Sequence, residues 1–451
     1  MEKMFKLKEN GTDARTEIIA GVTTFLSMVY ILAVNPSILS ASGMEPSAIF
    51  IATAISAAFA TLIMAFYANY PVALASGMGL NAYFAFSVCG DLAARGIDNP
   101  WEIALAAVFC EGIIFVLLSL ASFREKLVND IPENLKYGIT TGIGLFIVII
   151  GLKNAGIVIG SKATLVDLGD IASPQFALAF IGFLILAALY HFNIKGYILL
   201  GILVTWILGM IAQATGWYQV NPEAEMFSLY PNFKAPIFPE KMYIGAFDFS
   251  WVGAHIMEFV VIVFSFLFVD IFDTVGTLIG VSEKGNLLDK DGKLPKAKQA
   301  LMSDALGTIF GACVGTSTVT SYVESSAGVA AGGRTGLTSF TTAIMFLLAI
   351  FLAPIFLAIP GFATTPALVW VGLLMMSSIK KMKFDGDIAD VTAGFLAVVM
   401  MPFTYSIANG IMFGMISWVV LKVVTGKIKE ISGVMWICFV LFALRILTLV
   451  M

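Results

Sequence analysis

The chain has 451 residues, 59% of them hydrophobic and only 12% charged, with a mean hydropathy of +0.93. A soluble globular chain carries about twice that charged fraction, and the formal charge of −4 offers no basic field for nucleic acid. Composition thus excludes a cytosolic enzyme, a nucleic-acid binder and a disordered scaffold, and predicts an integral membrane protein.

Taken in chain order, the charged start (Lys3, Lys6, Lys8, Arg15) leads into an apolar run too long for a cleavable signal core, with no small-residue cleavage site. That run reads as a span. Runs of about 20 apolar residues cross the hydrocarbon. They are predicted at 17–40, 47–69, 71–90, 101–122, 134–151, 174–191 and 195–214. A second set lies at 251–280, 297–314, 316–333, 338–358, 364–379, 388–405 and 408–424, after a connecting segment, 216–250. With the N-terminus in the cytoplasm, 20 Lys and Arg fall inside and 5 outside, as positive-inside topology requires. Seven spans in each half reverse the orientation of the second half, the arithmetic of an inverted repeat. The apolar stretch 432–450 is either a fifteenth span or, as favoured here, a terminal helix at or packed against the membrane. Its Arg445 would snorkel in both cases. Cys89, Cys110, Cys313 and Cys438 lie in apolar stretches without metal spacing, beside just two histidines, His191 and His255. Neither a disulfide scaffold nor a zinc site is expected.

Two spans do not read as continuous helices. Pro71, Gly77 and Gly79 punctuate the third, from Tyr70 to Phe84, and a Thr/Ser run of β character opens the tenth, from Gly315 to Gly328. Non-helical backbone at membrane depth is tolerated where protein or a polar cavity satisfies it. A pair of broken spans at corresponding positions of two halves points to a transporter's site, with half-helix N-termini near the midplane. Tight helix packing through Gly and Ser would be the bland explanation.

Asp270, Asp273, Asp304 and Glu324 are acidic residues inside predicted spans, with Glu111 and Glu258 nearer span ends. Asp270 and Asp273, at i and i+3, share one helix face. No basic residue lies in the predicted core of a span, and intramembrane acids mark function by default. Such a group can take up and release a proton during a transport cycle. A structural role for Asp304 is equally open, because it sits nearer a cytoplasmic helix end; His255 and Glu258 read as interfacial. A carboxylate accepts two adjacent N–H groups of a heteroaromatic ring, and Asn81 offers a donor and an acceptor. Tyr83, Phe84, Phe268, Phe272 and Tyr322 could stack on a flat ring. The chemistry suits a neutral, flat, polar-edged solute moved with protons.

At these residues the chain resembles the nucleobase/ascorbate transporter (xanthine/uracil permease) family, and within it the AzgA-like branch of hypoxanthine/guanine/adenine permeases. Five ordered motifs carry the likeness. They are Arg15-Thr16-Glu17-Ile18-Ile19-Ala20-Gly21 with Asn35-Pro36, Gly77-Met78-Gly79-Leu80-Asn81-Ala82, Phe268-Val269-Asp270-Ile271-Phe272-Asp273-Thr274, Gly315-Thr316-Ser317 through Tyr322-Val323-Glu324-Ser325, and Tyr405-Ser406-Ile407-Ala408-Asn409-Gly410. The continuation Gly328-Val329-Ala330-Ala331-Gly332 looks most like the guanine/hypoxanthine members.

The resemblance implies an all-α membrane fold of 14 spans in two inverted repeats, 1–215 and 251–424, with 425–451 as a C-terminal segment. It also implies a core domain (17–122 and 251–358) and a gate domain (134–214 and 364–424). The expected base-binding set is Asp270, Glu324, Asn81, Gly79 and Tyr322, with Asp273 and Asp304 serving coupling or helix organisation. The expected activity is proton-coupled import of purine nucleobases, guanine and hypoxanthine before adenine, across the cytoplasmic membrane of a microbe. A homodimer through the gate is expected, and no cofactor, metal, nucleic acid or enzymatic step. An anion carrier of the same architecture is the first rival, and an intramembrane enzyme the second.

Overall fold

The computed structural model describes residues 2–120, 131–161, 164–221, 226–234, 236–287 and 294–450. The side chains of Lys3, Phe272, Ile279, Glu283, Arg445 and 447–450 fall outside that description, as do the end of the fourth expected span and the loop carrying Arg124 and Lys126. The described residues are mostly helical. Among the described residues, ten helices are long and apolar enough to cross a membrane: Ala14–Ser42, Pro46–Ala68, Pro100–Leu120, Glu133–Asn154, Pro174–His191, Tyr197–Ala214, Ile256–Ser282, Gly336–Phe356, Gly361–Lys381 and Ile407–Val424. The other four expected spans correspond to the helices Ala297–Val314 and Ile388–Phe403 and to two interrupted segments.

Local chemistry sets many of the ends. Asp13 caps the first helix by accepting from the N–H groups of Arg15 and Thr16, and Pro46 and Pro174 open theirs where a missing N–H costs nothing. The first segment is interrupted at Val29–Tyr30, shortly before Pro36, giving the helices Ala14–Met28 and Ile31–Leu39. It begins at Ala14 instead of 17 because the cap lies among polar residues that hydropathy alone discounts. The eighth helix, Ile256–Lys284, starts later and ends later than the expected 251–280, since Trp251–Gly253 forms a separate turn.

The third segment is a strand, β1 (Leu74–Ser76), then the helix Met78–Ala82 and a wound continuation to Ala94. A hairpin of β2 (Val158–Ser161) and β3 (Leu165–Leu168) decorates the loop before Pro174–His191. The tenth segment is β4 (Val319–Ser321) followed by the short helix Ser325–Ala330. β1 pairs antiparallel with β4, so the two halves of the chain meet through backbone hydrogen bonds in the interior.

Packing sorts the helices into two groups. Ala297–Val314 lies against Pro100–Leu120 and Pro46–Ile63, Gly336–Ala349 against Ala14–Met28 and Pro46–Ile63, and Ile256–Lys284 against Pro100–Leu120 and β4. In the other group Glu133–Asn154 packs on Gly361–Met376 and Ile388–Phe403, and Pro174–His191 on Tyr197–Ala214 and Gly361–Met376. The groups touch where Met78–Ala82 meets Glu133–Asn154, Tyr197–Ala214 meets Ala14–Met28, and Ile407–Val424 meets Ile256–Lys284. The C-terminal helix Gly433–Val450 packs on Ile256–Lys284 and Ile407–Val424, burying Cys438 and Phe442.

Candidate substrate-binding site

The site is built on the β1–β4 ladder. Leu74 stands opposite Ser321, Ala75 opposite Thr320 and Ser76 opposite Val319. Gly77 N–H donates to the Thr318 carbonyl and Tyr322 N–H to that of Ala73, each at 3.0 Å. Backbone groups away from water must find partners, and two threonines complete the ladder's outer edges in matching fashion. Thr61 Oγ1 accepts from Leu74 N–H at 2.9 Å and donates to its carbonyl at 3.1 Å. Thr308 Oγ1 does the same for Val319, at 3.2 and 3.0 Å. This matching pair, one in each half, is what an inverted repeat produces.

Around the ladder the acids converge. The Thr274 hydroxyl lies 2.7 Å from Asp304 Oδ2, 2.8 Å from Thr320 Oγ1 and 3.2 Å from Asp270 Oδ1. One hydroxyl thus joins two carboxylates from different helices to the ladder. Asp304 Oδ2 also accepts from the N–H and hydroxyl of Ser321, both at 3.1 Å. Asp304, which its sequence position left open, is wholly buried against β4. Glu324 immediately precedes the helix Ser325–Ala330 and accepts from the Tyr30 hydroxyl at 2.6 Å. Asp273 is half-buried and within electrostatic range of both Asp304 and Glu324.

In the helix that follows β1, Asn81 Oδ1 accepts from the hydroxyls of Ser76, at 2.7 Å, and of Ser317. Its amide nitrogen is buried without a hydrogen-bond partner. Ser76 also lies 3.3 Å from Thr316, whose hydroxyl accepts from Asn35 Nδ2 at 3.1 Å. Tyr322 donates to the Ser76 carbonyl at 2.5 Å, tying β4 back to β1. Gly79 is needed for a close approach, since a Cβ there would come within 2.8 Å of Ile143 Cγ2 on the Glu133–Asn154 helix.

The expected set is therefore partly assembled here. Asp270, Asp304, Tyr322 and Asn81 are linked to the ladder by hydrogen bonds, directly or through Thr274, Ser76 and Ser317, and Glu324 follows it. Among the described residues, three of the aromatics pack on other rings. Tyr83 and Phe84 pack on Phe266, with ring centroids 4.7 and 6.4 Å away, and Phe268 lies against Phe264; the Phe272 side chain lies outside the described residues. Glu258 is salt-bridged to Arg95 at 2.6 Å and His255 stacks on Trp251. Sequence reasoning missed Tyr30, Thr274, Thr320 and Ser321. Thr274 alone carried a local signal, lying i+4 from Asp270 on the same helix face.

Over residues 15–413 the chain matches the sequence model of the xanthine/uracil permeases, described as a permease family. It belongs to the nucleobase/ascorbate transporter family. Among full-length relatives, the adenine permease AdeP of Escherichia coli is 42% identical over 99% of this chain and 96% of its own. The guanine/hypoxanthine permease PbuO of Bacillus subtilis is 44% identical over 99% and 100%. The transmembrane domain of the cyanobacterial bicarbonate transporter BicA shares the fold, with a TM-score of 0.66 at 16% identity over 87% of this chain and 96% of that one. The protein is thus a multi-pass membrane permease of this family and not an enzyme, with the inverted-repeat fold expected from its hydropathy.

Proposed function

We propose that this permease imports purine nucleobases by proton symport, with guanine and hypoxanthine preferred over adenine. The observation that carries the reading is the gathering of Asp270, Asp304 and Glu324 with Asn81 where two interrupted segments cross. Carboxylates accept from ring N–H groups, and an amide beside them can complete the polar edge of a base. The full-length relatives named as adenine and as guanine/hypoxanthine permeases support the same solute class. An anion would favour fixed positive charge, whereas this ladder is ringed by acids and hydroxyls.

In the proposed cycle the helices flanking the ladder act as a core that moves against the Glu133–Asn154, Pro174–His191, Tyr197–Ala214 and Gly361–Val424 gate, exposing one site alternately to each side. The N-terminus would be cytoplasmic, the membrane the cell membrane, and the assembly a dimer joined through the gate. Labelled hypoxanthine uptake into proteoliposomes tests the reading. An inward proton gradient should raise accumulation, and Asp270→Asn should cut it at least about tenfold, the scale of one lost charge-assisted hydrogen bond. Uptake indifferent to both would refute symport. Competition by guanine, adenine, xanthine and uracil, set against sulfate and bicarbonate, ranks the solutes and tests the anion alternative.

A further inference from the structure

We infer that Tyr30 is the positioning residue for Glu324, so that the first membrane segment sets how the tenth presents its carboxylate. The inference rests on Glu324 being a base-binding group, as proposed above.

Tyr30 is fully buried at the interruption between Ala14–Met28 and Ile31–Leu39. A buried phenol needs a hydrogen-bond partner, and this one donates to Glu324 Oε1 at 2.6 Å across 294 residues of sequence. A carboxylate has two oxygens. With Oε1 engaged by Tyr30, rotation of the Glu324 side chain is restricted and Oε2 is the oxygen left for the N–H of a base. Among the described residues, Tyr322 on its own segment, Asp273 on Ile256–Lys284 and Tyr197 on Tyr197–Ala214 are further titratable groups within electrostatic range of Glu324. Tyr30 is the one that the geometry joins to it by a hydrogen bond.

The first segment also fixes the helix behind Glu324. A Cβ on Gly328 would meet Thr24 Oγ1 at 2.0 Å and the Ala20 carbonyl at 2.6 Å, so Ser325–Ala330 lies directly on Ala14–Met28. Beyond it, the Arg334 guanidinium donates to the carbonyls of Val329 and Gly333 at 2.7 Å. The Glu17 carboxylate accepts from the N–H groups of Arg334, Thr335 and Thr338 at 2.8, 3.3 and 3.1 Å. Ala20, Thr24 and Tyr30 therefore hold the tenth segment at successive levels and Glu17 holds the turn that leads out of it, which gives the Arg15–Gly21 motif a physical role.

A double-mutant cycle tests the pairing with wild type, Tyr30→Phe, Glu324→Gln and the double variant. Phe keeps the ring and removes only the hydroxyl. For labelled hypoxanthine, Tyr30→Phe should raise KM about tenfold, the effect of one hydrogen bond to a charged group, with Vmax within about twofold. In the Glu324→Gln background the same change should move KM by less than about twofold. A wild-type KM in Tyr30→Phe, or additive effects, would overturn the inference. Should Tyr30→Phe lose its fold, Glu324→Asp, which draws the charge back by one methylene, should raise KM likewise, and an unchanged KM counts against it. A purine-free arm reads the pair by itself. A hydrophobic carbodiimide, mapped by peptide mass, should label Glu324 several-fold faster in Tyr30→Phe while Glu111 labels at the wild-type rate. Equal Glu324 rates would sink the pairing. Failure of wild type to take up any purine would instead sink the solute assignment.

Discussion

Thr274 shows how much one hydroxyl can organise. It donates a single proton yet lies within hydrogen-bonding distance of Asp270, Asp304 and Thr320. Thr274→Val keeps the shape and removes the link, leaving buried carboxylate oxygens to lose a donor. Initial uptake of labelled hypoxanthine, normalised to protein level, should fall at least about tenfold, whereas Thr274→Ser should keep most of it. Equal rates in Val and wild type would remove Thr274 from the mechanism. At this scale the sequence was informative only about acids. A carboxylate in an apolar run is conspicuous because its cost is high. Tyr30 and Thr274 are ordinary residues of such runs, and their roles arise from partners 294 and 30 residues away.

Among the elements, the helix Gly336–Ala349 has an unusual start. Glu17 accepts from three of the backbone N–H groups at and just before its first turn, and from the Thr338 hydroxyl at 2.6 Å. Glu17→Ala would orphan those donors in a buried setting, and thermal unfolding in detergent should show a loss of about 2–4 kcal/mol. Glu17→Gln, which keeps one acceptor, should lose less. At the opposite end of the second half, Asp387 caps Ile388–Phe403 and bonds Lys427 at 2.6 Å and Lys422 at 2.9 Å. These lysines hold its carboxyl well below the usual carboxylate range. A lowered folded-state value contributes stability above the unfolded value of about 3.9, lost as pH falls through the folded one. Melting temperatures of wild type and Asp387→Asn should therefore differ by a constant amount from about pH 5 to 8, and the difference should shrink progressively as pH falls below about 4. A gap that stays undiminished below that pH would assign the stability to something other than this charge. The interrupted elements themselves were legible: Pro71, Gly77, Gly79 and the Thr316–Thr320 run forbid a continuous helix. The β1–β4 register was not, because Ser76 opposite Val319 depends on where two distant segments halt, and no local periodicity encodes that.

For the whole molecule, the contact between Gly79 and Ile143 joins the two helix groups beside the proposed site. In a background freed of Cys89, Cys110, Cys313 and Cys438, Gly79→Cys with Ile143→Cys should form a disulfide on oxidation. Uptake should then stop and return on reduction, if the groups move past each other. Continued transport in the oxidised protein would exclude relative motion at this contact. Fourteen hydrophobic runs and their charge asymmetry made the two-half architecture readable in advance. The grouping of helices from both halves was not readable from hydropathy, which reports depth in the bilayer and not neighbours.

Because β1 receives its backbone partners from β4, about 245 residues later, the first half of the chain cannot finish its own interior. During synthesis Leu74–Ser76 must wait, with only Thr61 and its own loop to satisfy it, until the second half has been inserted. Co-expressed halves split within 216–250 should regain activity only by finding one another, and a ribosome stalled before Val319 would hold a membrane-inserted chain with an open seam, a natural substrate for quality control.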